Sequence, residues 1–212
     1  MNSNFFSRFK YFVIIFFISS FVQTFAQKDI SIFGLGGVNY IPMKNFSHFL
    51  NDLPNNKIDE VGFNGIIGIK YAHTDNNIFL ISSEIINKNA SFSGGFFGAT
   101  WNFKVIPIAF GYQYLFSNKE NNFRPFAGMN ISYSFIEIEG EYYSDTPGTP
   151  NDITKRNKFG IEPNFGFNYK LVESFFLVTE IKYRYMSDIE FWGKDVNLSG
   201  LLLNLGIQIQ VL

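Results

Sequence analysis

Residues 200–211 read Gly200-Leu201-Leu202-Leu203-Asn204-Leu205-Gly206-Ile207-Gln208-Ile209-Gln210-Val211. Leu201, Leu203, Leu205, Ile207, Ile209 and Val211 share one parity and are all apolar. Asn204, Gly206, Gln208 and Gln210 share the other, with Leu202 and Leu212 as exceptions. A period of two sends successive side chains to opposite faces of an extended chain, so this stretch is a β-strand with one apolar and one small or polar face.

Working upstream, the same alternation returns. Phe175, Leu177, Thr179, Ile181, Tyr183 and Tyr185 oppose Glu180, Lys182 and Arg184, with Phe176 and Val178 on the second face. Phe159, Ile161, Pro163, Phe165, Phe167 and Tyr169 oppose Gly160, Glu162, Asn164, Gly166 and Asn168. Val61, Phe63, Ile67, Ile69 and Tyr71 oppose Gly62, Asn64, Gly68 and Lys70. Residues 30–41, 78–88, 101–116 and 124–139 alternate less cleanly and bring the set to eight strands. Pro107 and Pro163 each remove a ladder hydrogen bond, and phase slips occur at both ends of 124–139. Bulges are expected there. After residue 26 no segment sustains a helical period.

The connections alternate in length. Residues 42–60, 89–100, 140–157 and 187–199 make four long links, the third holding Pro147, Gly148 and Pro150. Residues 73–77, 117–123 and 172–174 make three short ones. Long loops at one end and short turns at the other are the mark of an outer-membrane barrel, with both termini on the periplasmic side. The expected fold is therefore all-β: an eight-stranded antiparallel transmembrane up-and-down β-barrel.

The N-terminus agrees with that destination. Arg8 and Lys10 precede an uncharged run from Tyr11 to Val22, and Thr24-Phe25-Ala26 offers small residues at −3 and −1 of a cleavage site. This is the order of parts in a secretory signal peptide, and the run is too short for a spanning helix. Residues 1–26 are read as signal peptide and 27–212 as one barrel domain. Losing Arg8 and Lys10 from 17 basic residues leaves 15 against 18 acidic ones, a net charge of −3 with no footprint for nucleic acid. There is no cysteine, so neither disulfides nor thiolate metal sites are available. Aromatic residues reach 19% and charged residues only 17%, too few charges to clothe a water-soluble surface but enough for one that faces lipid.

A membrane barrel turns its apolar face to lipid and its polar face to the lumen. Glu84, Glu162, Glu180, Lys70, Lys182 and Arg184 fall on the polar face. Eight strands enclose just enough room for side chains, so these charges are expected to pair as a structural plug. Tyr40, Tyr71, Trp101, Tyr114, Tyr142, Tyr143, Tyr169, Tyr185 and Trp192, near strand ends, suit interfacial girdles. Three other readings stand beside this one: a narrow pore, a lipid-modifying outer-membrane enzyme, and a soluble lipocalin-like barrel. The last requires Phe165, Phe167, Ile181 and Tyr183 to point inward.

The mature chain resembles the small outer-membrane β-barrel proteins of Bacteroidetes, including the group loosely likened to the gingipain-secretion factor PorT. The residues carrying the resemblance are Thr24-Phe25-Ala26-Gln27, Gly34-Leu35-Gly36-Gly37, Lys104-Val105-Ile106-Pro107-Ile108 with Gly111-Tyr112-Gln113-Tyr114, Arg124-Pro125-Phe126-Ala127-Gly128, and Asn204 to Gln210. The resemblance implies insertion by the barrel-insertion machinery and a place in outer-membrane lipid. A terminal aromatic is the usual insertion signal, and Leu212 departs from it. A role in secretion does not follow from motifs this general. A mature chain used up by strands and loops is instead expected to have a structural, adhesive or assembly-partner role, with a protein partner met through the extracellular loops.

Chemistry finds few candidates. His73 falls in a short turn, and His48 in the first long loop beside Ser47. Nucleophilic catalysis needs serine, base and orienting group within hydrogen-bond reach, and neighbouring side chains diverge. Gly34-Leu35-Gly36-Gly37 lacks the GxGxxG spacing and following helix of a dinucleotide site. Glu139, Glu141, Asp145 and Asp152 in or beside the third loop are read as solvated acids rather than a calcium site. No catalytic residue, cofactor or metal is assigned.

Overall fold

The computed structural model describes residues 29–51, 53–94, 97–144, 152–191 and 193–211. The expected signal peptide, Asp145, Pro147, Gly148, Pro150, Trp192 and Leu212 lie outside them. The alternating segments become β1 (Ile30–Tyr40), β3 (Val61–Ala72), β4 (Asn77–Gly94), β5 (Phe97–Leu115), β6 (Phe123–Ser144), β7 (Asp152–Val172), β8 (Phe175–Met186) and β11 (Gly200–Gln210). The first long connection contains α1 (Lys44–Asn51) and the short β2 (Lys57–Ile58), and the last contains β9 (Ile189–Phe191) paired with β10 (Lys194–Val196).

The eight long strands pair antiparallel in chain order. The β4–β5 and β1–β11 pairings close the sheet into a barrel, and only the tall ends of the longer strands, such as β7 before Gly160, run beyond their neighbours. Closure matters because hydrocarbon offers no partner to an unpaired backbone group. Paired residues can be followed around the sheet from Ile30 through Tyr71, Phe79, Tyr112 and Met129 to Pro163; the Ile161–Tyr185 and Asn164–Lys182 pairs on either side carry the register on to Tyr183, which leads through Leu201 to Tyr40. The path returns to β1 ten residues along from where it left. That stagger is what tilts the strands of a closed barrel, by about 35–45°.

The faces fall as the alternation requires. Phe63 (82% exposed), Phe159 (70%) and Ile67 (65%) project outward, and so do Phe165 (58%) and Tyr183 (47%), with Phe167 and Ile181 half-buried on the same face. A lipocalin-like interior is thereby excluded. Lys70, Glu84, Glu162, Glu180, Lys182 and Arg184 are all buried in the lumen.

Four expectations need correction. Pairing resumes in the same register on either side of Pro107 and Pro163, so neither proline carries a bulge, and β6 holds one register along its whole length. Each proline simply occupies its place in the ladder with one donor fewer. Among the described residues the ladder shifts register between Lys170 and Val172. Second, much of the supposed loops is strand. β4 to β7 run for 18, 19, 22 and 21 residues, whereas β1, β3, β8 and β11 have 11 or 12. About 9–11 residues suffice to cross the bilayer, so one wall of the barrel stands well above it. Asn87, Lys104, Glu137 and Lys155 lie in register across that wall where its outer face turns polar, and Lys155 Nζ reaches Glu137 Oε2 at 3.2 Å.

Third, a helical segment does exist. Met43, Phe46 and Leu50 recur at helical spacing and are fully buried, which seats α1 in the barrel mouth. Met43 accepts bonds from the Phe46 and Ser47 amides at 2.9 Å while holding a left-handed φ of 45°, a conformation rare for a side chain of its size. Fourth, Trp101 and Tyr142 are not girdle residues. Trp101 is fully buried inside the barrel and its ring meets Tyr142 edge-on at 6.3 Å. Tyr40, Tyr114, Tyr169 and Tyr185 do face outward, and Tyr71 is half-buried.

Candidate functional site

The lumen is layered, and the layers follow from which parity each strand offers at each height. At mid-height β4 contributes Glu84, β7 Glu162, and β8 Glu180, Lys182 and Arg184, all within a few per cent of complete burial. Glu84 accepts from Lys182 Nζ at 2.7 Å, from Arg184 Nη2 and from Asn64 Nδ2 at 2.8 Å. Glu162 accepts from Arg184 Nε at 2.7 Å and from Asn130 Nδ2 at 3.4 Å, with Lys182 Nζ at 3.5 Å. The expected network of opposite charges is present, with one difference: Glu180 accepts from Asn204 Nδ2 at 3.1 Å and forms no ion pair among the described residues. Asn64 Nδ2 also reaches Asn204 Oδ1 at 2.8 Å, so Glu180 joins the network through two amides. Asn130, Asn164 and Gln113 extend it across β5 to β7.

Apolar layers close the lumen on both sides of these charges. Toward the short turns lie Phe33, Leu35, Ile66, Ile78, Leu115, Phe126 and Val178. Toward the long loops the lumen face turns apolar along β4, β5 and β6, where Ile86, Trp101, Phe103, Val105, Ile136 and Ile138 are almost fully buried. Phe46 of α1 enters this cluster as a stopper, its ring 5.4 Å from Trp101, 5.6 Å from Phe103 and 6.0 Å from Phe191 of β9. The β9–β10 hairpin turns at Gly193, whose φ of +65° suits glycine, and Lys194 Nζ lies 5.9 Å from the Phe49 ring of α1. The polar lumen expected from the alternation thus holds for its middle; toward the short turns apolar side chains mix with buried Ser31, Lys70, Gln113 and Asn168, and toward the long loops apolar ones take over. The stopper was missed, although the spacing of Met43, Phe46 and Leu50 carried its signal.

Of the histidines, His48 is exposed on α1 and His73 is exposed in the β3–β4 turn, its ring tilted against Tyr71 and edge-on to Phe79. Glu139 and Glu141 are exposed on β6, and among the described residues no group of three His, Asp or Glu side chains is placed to hold a metal.

A closed eight-stranded barrel with an apolar exterior and a charged interior belongs in an outer membrane, and comparison with known proteins agrees. The model of the outer membrane protein beta-barrel domain family matches residues 12–208. The chain belongs to this family. Its place is the bacterial outer membrane. Among curated proteins it is 29% identical over 117 residues to Outer membrane protein W of Vibrio cholerae, a stretch covering 53% of this chain and 54% of that one. The match therefore spans about half the length of that relative. Among solved structures, OprG of Pseudomonas aeruginosa superposes with a TM-score of 0.59 at 13% identity, covering 87% of this chain and 96% of that one. A major outer membrane protein of Thermus thermophilus gives 0.58 at 12%, covering 85% and 99%, and Neisserial surface protein A gives 0.55 at 13%, covering 86% and 97%. At these identities the likeness is one of fold. Within the family, short turns face the periplasm, which sets α1 and the β9–β10 hairpin at the cell surface.

Proposed function

We propose that this member of the family is a non-conducting, non-enzymatic barrel that works through its extracellular face, in a structural, adhesive or assembly-partner role. The observation that carries the reading is the occluded lumen. An ion entering from outside meets an apolar cluster stoppered by Phe46, then a charge layer whose cations are already held by Glu84 and Glu162, then a second apolar cluster. Taking a charge through two apolar layers is prohibitive without displacing them. What remains accessible is the tall wall of β4 to β7, α1 and the β9–β10 hairpin. These surfaces suit a protein partner, while the apolar belt suits outer-membrane lipid.

Two finer points rest on sequence motifs. Kinship with the PorT-like barrels of Bacteroidetes is supported by Gly34-Leu35-Gly36-Gly37 and Arg124-Pro125-Phe126-Ala127-Gly128. Secretion, with cleavage after Ala26 and delivery to the barrel-insertion machinery, is supported by the N-terminal pattern. Planar-bilayer recording from purified monomer tests the main reading. Silence at membrane potentials up to 100 mV is expected, and large, stable conductance steps refute it. Capture of a surface partner that is lost on deleting the β9–β10 hairpin supports the second half.

A further inference from the structure

The mid-lumen cations, Lys182 and Arg184, each lie within 4 Å of a carboxylate. Among the described residues three other buried cations do not: Lys88, toward the long loops, is satisfied by the Glu60 carbonyl at 2.6 Å, and the other two, Lys70 and Arg124, lie at the opposite end. Lys70 on β3 is 5% exposed, and its ammonium lies 5.2 Å from the Phe33 ring and 5.4 Å from the Phe126 ring, with no carboxylate in salt-bridge reach among the described residues. Arg124 on β6 is 9% exposed; it donates through Nη2 to the Asp75 carbonyl at 2.9 Å, while its buried Nε has no partner.

Both line one cavity of about 30 Å³ at the periplasmic mouth, together with Ser31, Asn168 and Gln208. Asp29 there is engaged by Lys119 and Asp75 sits beside it, leaving three cations against two anions. The volume is room for roughly two or three water-sized groups. A buried guanidinium nitrogen without an acceptor and a buried ammonium held only by ring faces are both costly unless an anion completes them.

We propose that the periplasmic mouth of the barrel binds a small oxyanion, a carboxylate or phosphate group, between Lys70 and Arg124. Arg124 Nε offers a directed donor, Lys70 the second charge, and Ser31 a hydroxyl on the cavity wall. The cavity admits the anionic group itself and not a bulky bearer, so the rest of any ligand would project into the periplasm. The site is separated from the extracellular face by the charge layer and the upper apolar cluster and does not depend on the function proposed above.

The test is calorimetric titration of the mature chain, folded in zwitterionic detergent and a sulfonate buffer, with inorganic phosphate and with acetate at constant ionic strength. One-to-one saturable binding of at least one anion is expected. The tighter of the two assigns the group as phosphoryl or carboxyl. R124Q and K70M should each weaken binding at least tenfold. Folding of each variant is checked by the heat-dependent gel mobility of a closed barrel. Q208E guards against variants that fail to fold: it brings a carboxylate of the chain's own to the mouth, and should melt higher than the parent without added anion and bind neither probe. Absence of saturable binding by the parent, or binding by folded R124Q and Q208E equal to the parent's, overturns the proposal.

Discussion

Substituting Glu84 by Gln keeps the size of the side chain and removes one charge from the centre of the lumen. Glu84 is 4% exposed and receives Lys182, Arg184 and Asn64. After the change Arg184 retains its 2.7 Å bond to Glu162, but the carboxylate left to Lys182 is Glu162 at 3.5 Å. Two buried cations then share one directly paired acid. Breaking a buried pair from one side costs roughly 3–5 kcal/mol, because the remaining charge keeps its desolvation penalty without its partner. Glu84→Gln should lose that amount. Thr179→Ala, on the lipid face of β8, should stay within about 0.5 kcal/mol of the parent, as surface changes do. Adding Lys182→Met to Glu84→Gln removes the surplus cation and should recover at least half of the loss, since a neutralised pair is often tolerated. The assay is reversible urea unfolding of the mature chain in lipid vesicles, followed by tryptophan fluorescence. If Glu84→Gln unfolds with Thr179→Ala, or if Lys182→Met deepens the loss additively, the charge layer is not the coupled network described.

Phe46→Ala removes the ring that seats α1 against Trp101, Phe103 and Phe191, a loss of roughly 3–5 kcal/mol for a buried phenylalanine. Because α1 lies outside the sheet, the expected outcome is faster proteolysis within residues 44–51 with the closed-barrel gel mobility unchanged. Gly206→Ala places a methyl 2.0 Å from the Gly34 carbonyl oxygen, so the β1–β11 seam must shift, at a cost of about 1–3 kcal/mol in urea unfolding. Gly36→Ala meets nothing within 4 Å and should fall within about 0.5 kcal/mol of the parent in the same experiment.

The strand period makes one part of the fold legible in the sequence. The parity of Leu201 to Ile209, Phe159 to Tyr169 and Val61 to Tyr71 assigns lipid and lumen faces directly, because a strand has only two faces and lipid selects one of them. Pairing of Lys182 and Arg184 with Glu84 and Glu162 followed from the same parity plus the narrowness of eight strands. The upper barrel was less legible for a physical reason. Above the membrane the wall no longer faces hydrocarbon, so Asn87, Lys104 and Glu137 turn outward while Trp101, Phe103 and Ile136 turn inward, and the polarity of the two faces reverses without any slip in register. Read with a single rule, that reversal looks like loop. Trp101 near a strand end suits an interfacial girdle and an aromatic plug equally, and sequence position alone does not separate the two. The α1 signal was three apolar residues in an eight-residue segment, too short for periodicity alone to separate from loop.

The inside and outside of the barrel can be tested most directly with light. In a Trp192→Phe background, Trp101 is the sole tryptophan, and Phe165→Trp adds a second on the outer face of β7. Folded into vesicles of lipid brominated along its acyl chains, the parent background should keep nearly all its fluorescence, because Trp101 is enclosed by the barrel wall. The Phe165→Trp chain should lose most of the added emission to bromine contact. Strong quenching of Trp101, or an added tryptophan at 165 that the brominated lipid leaves untouched, would contradict the assignment of lipid and lumen faces on which the whole account stands.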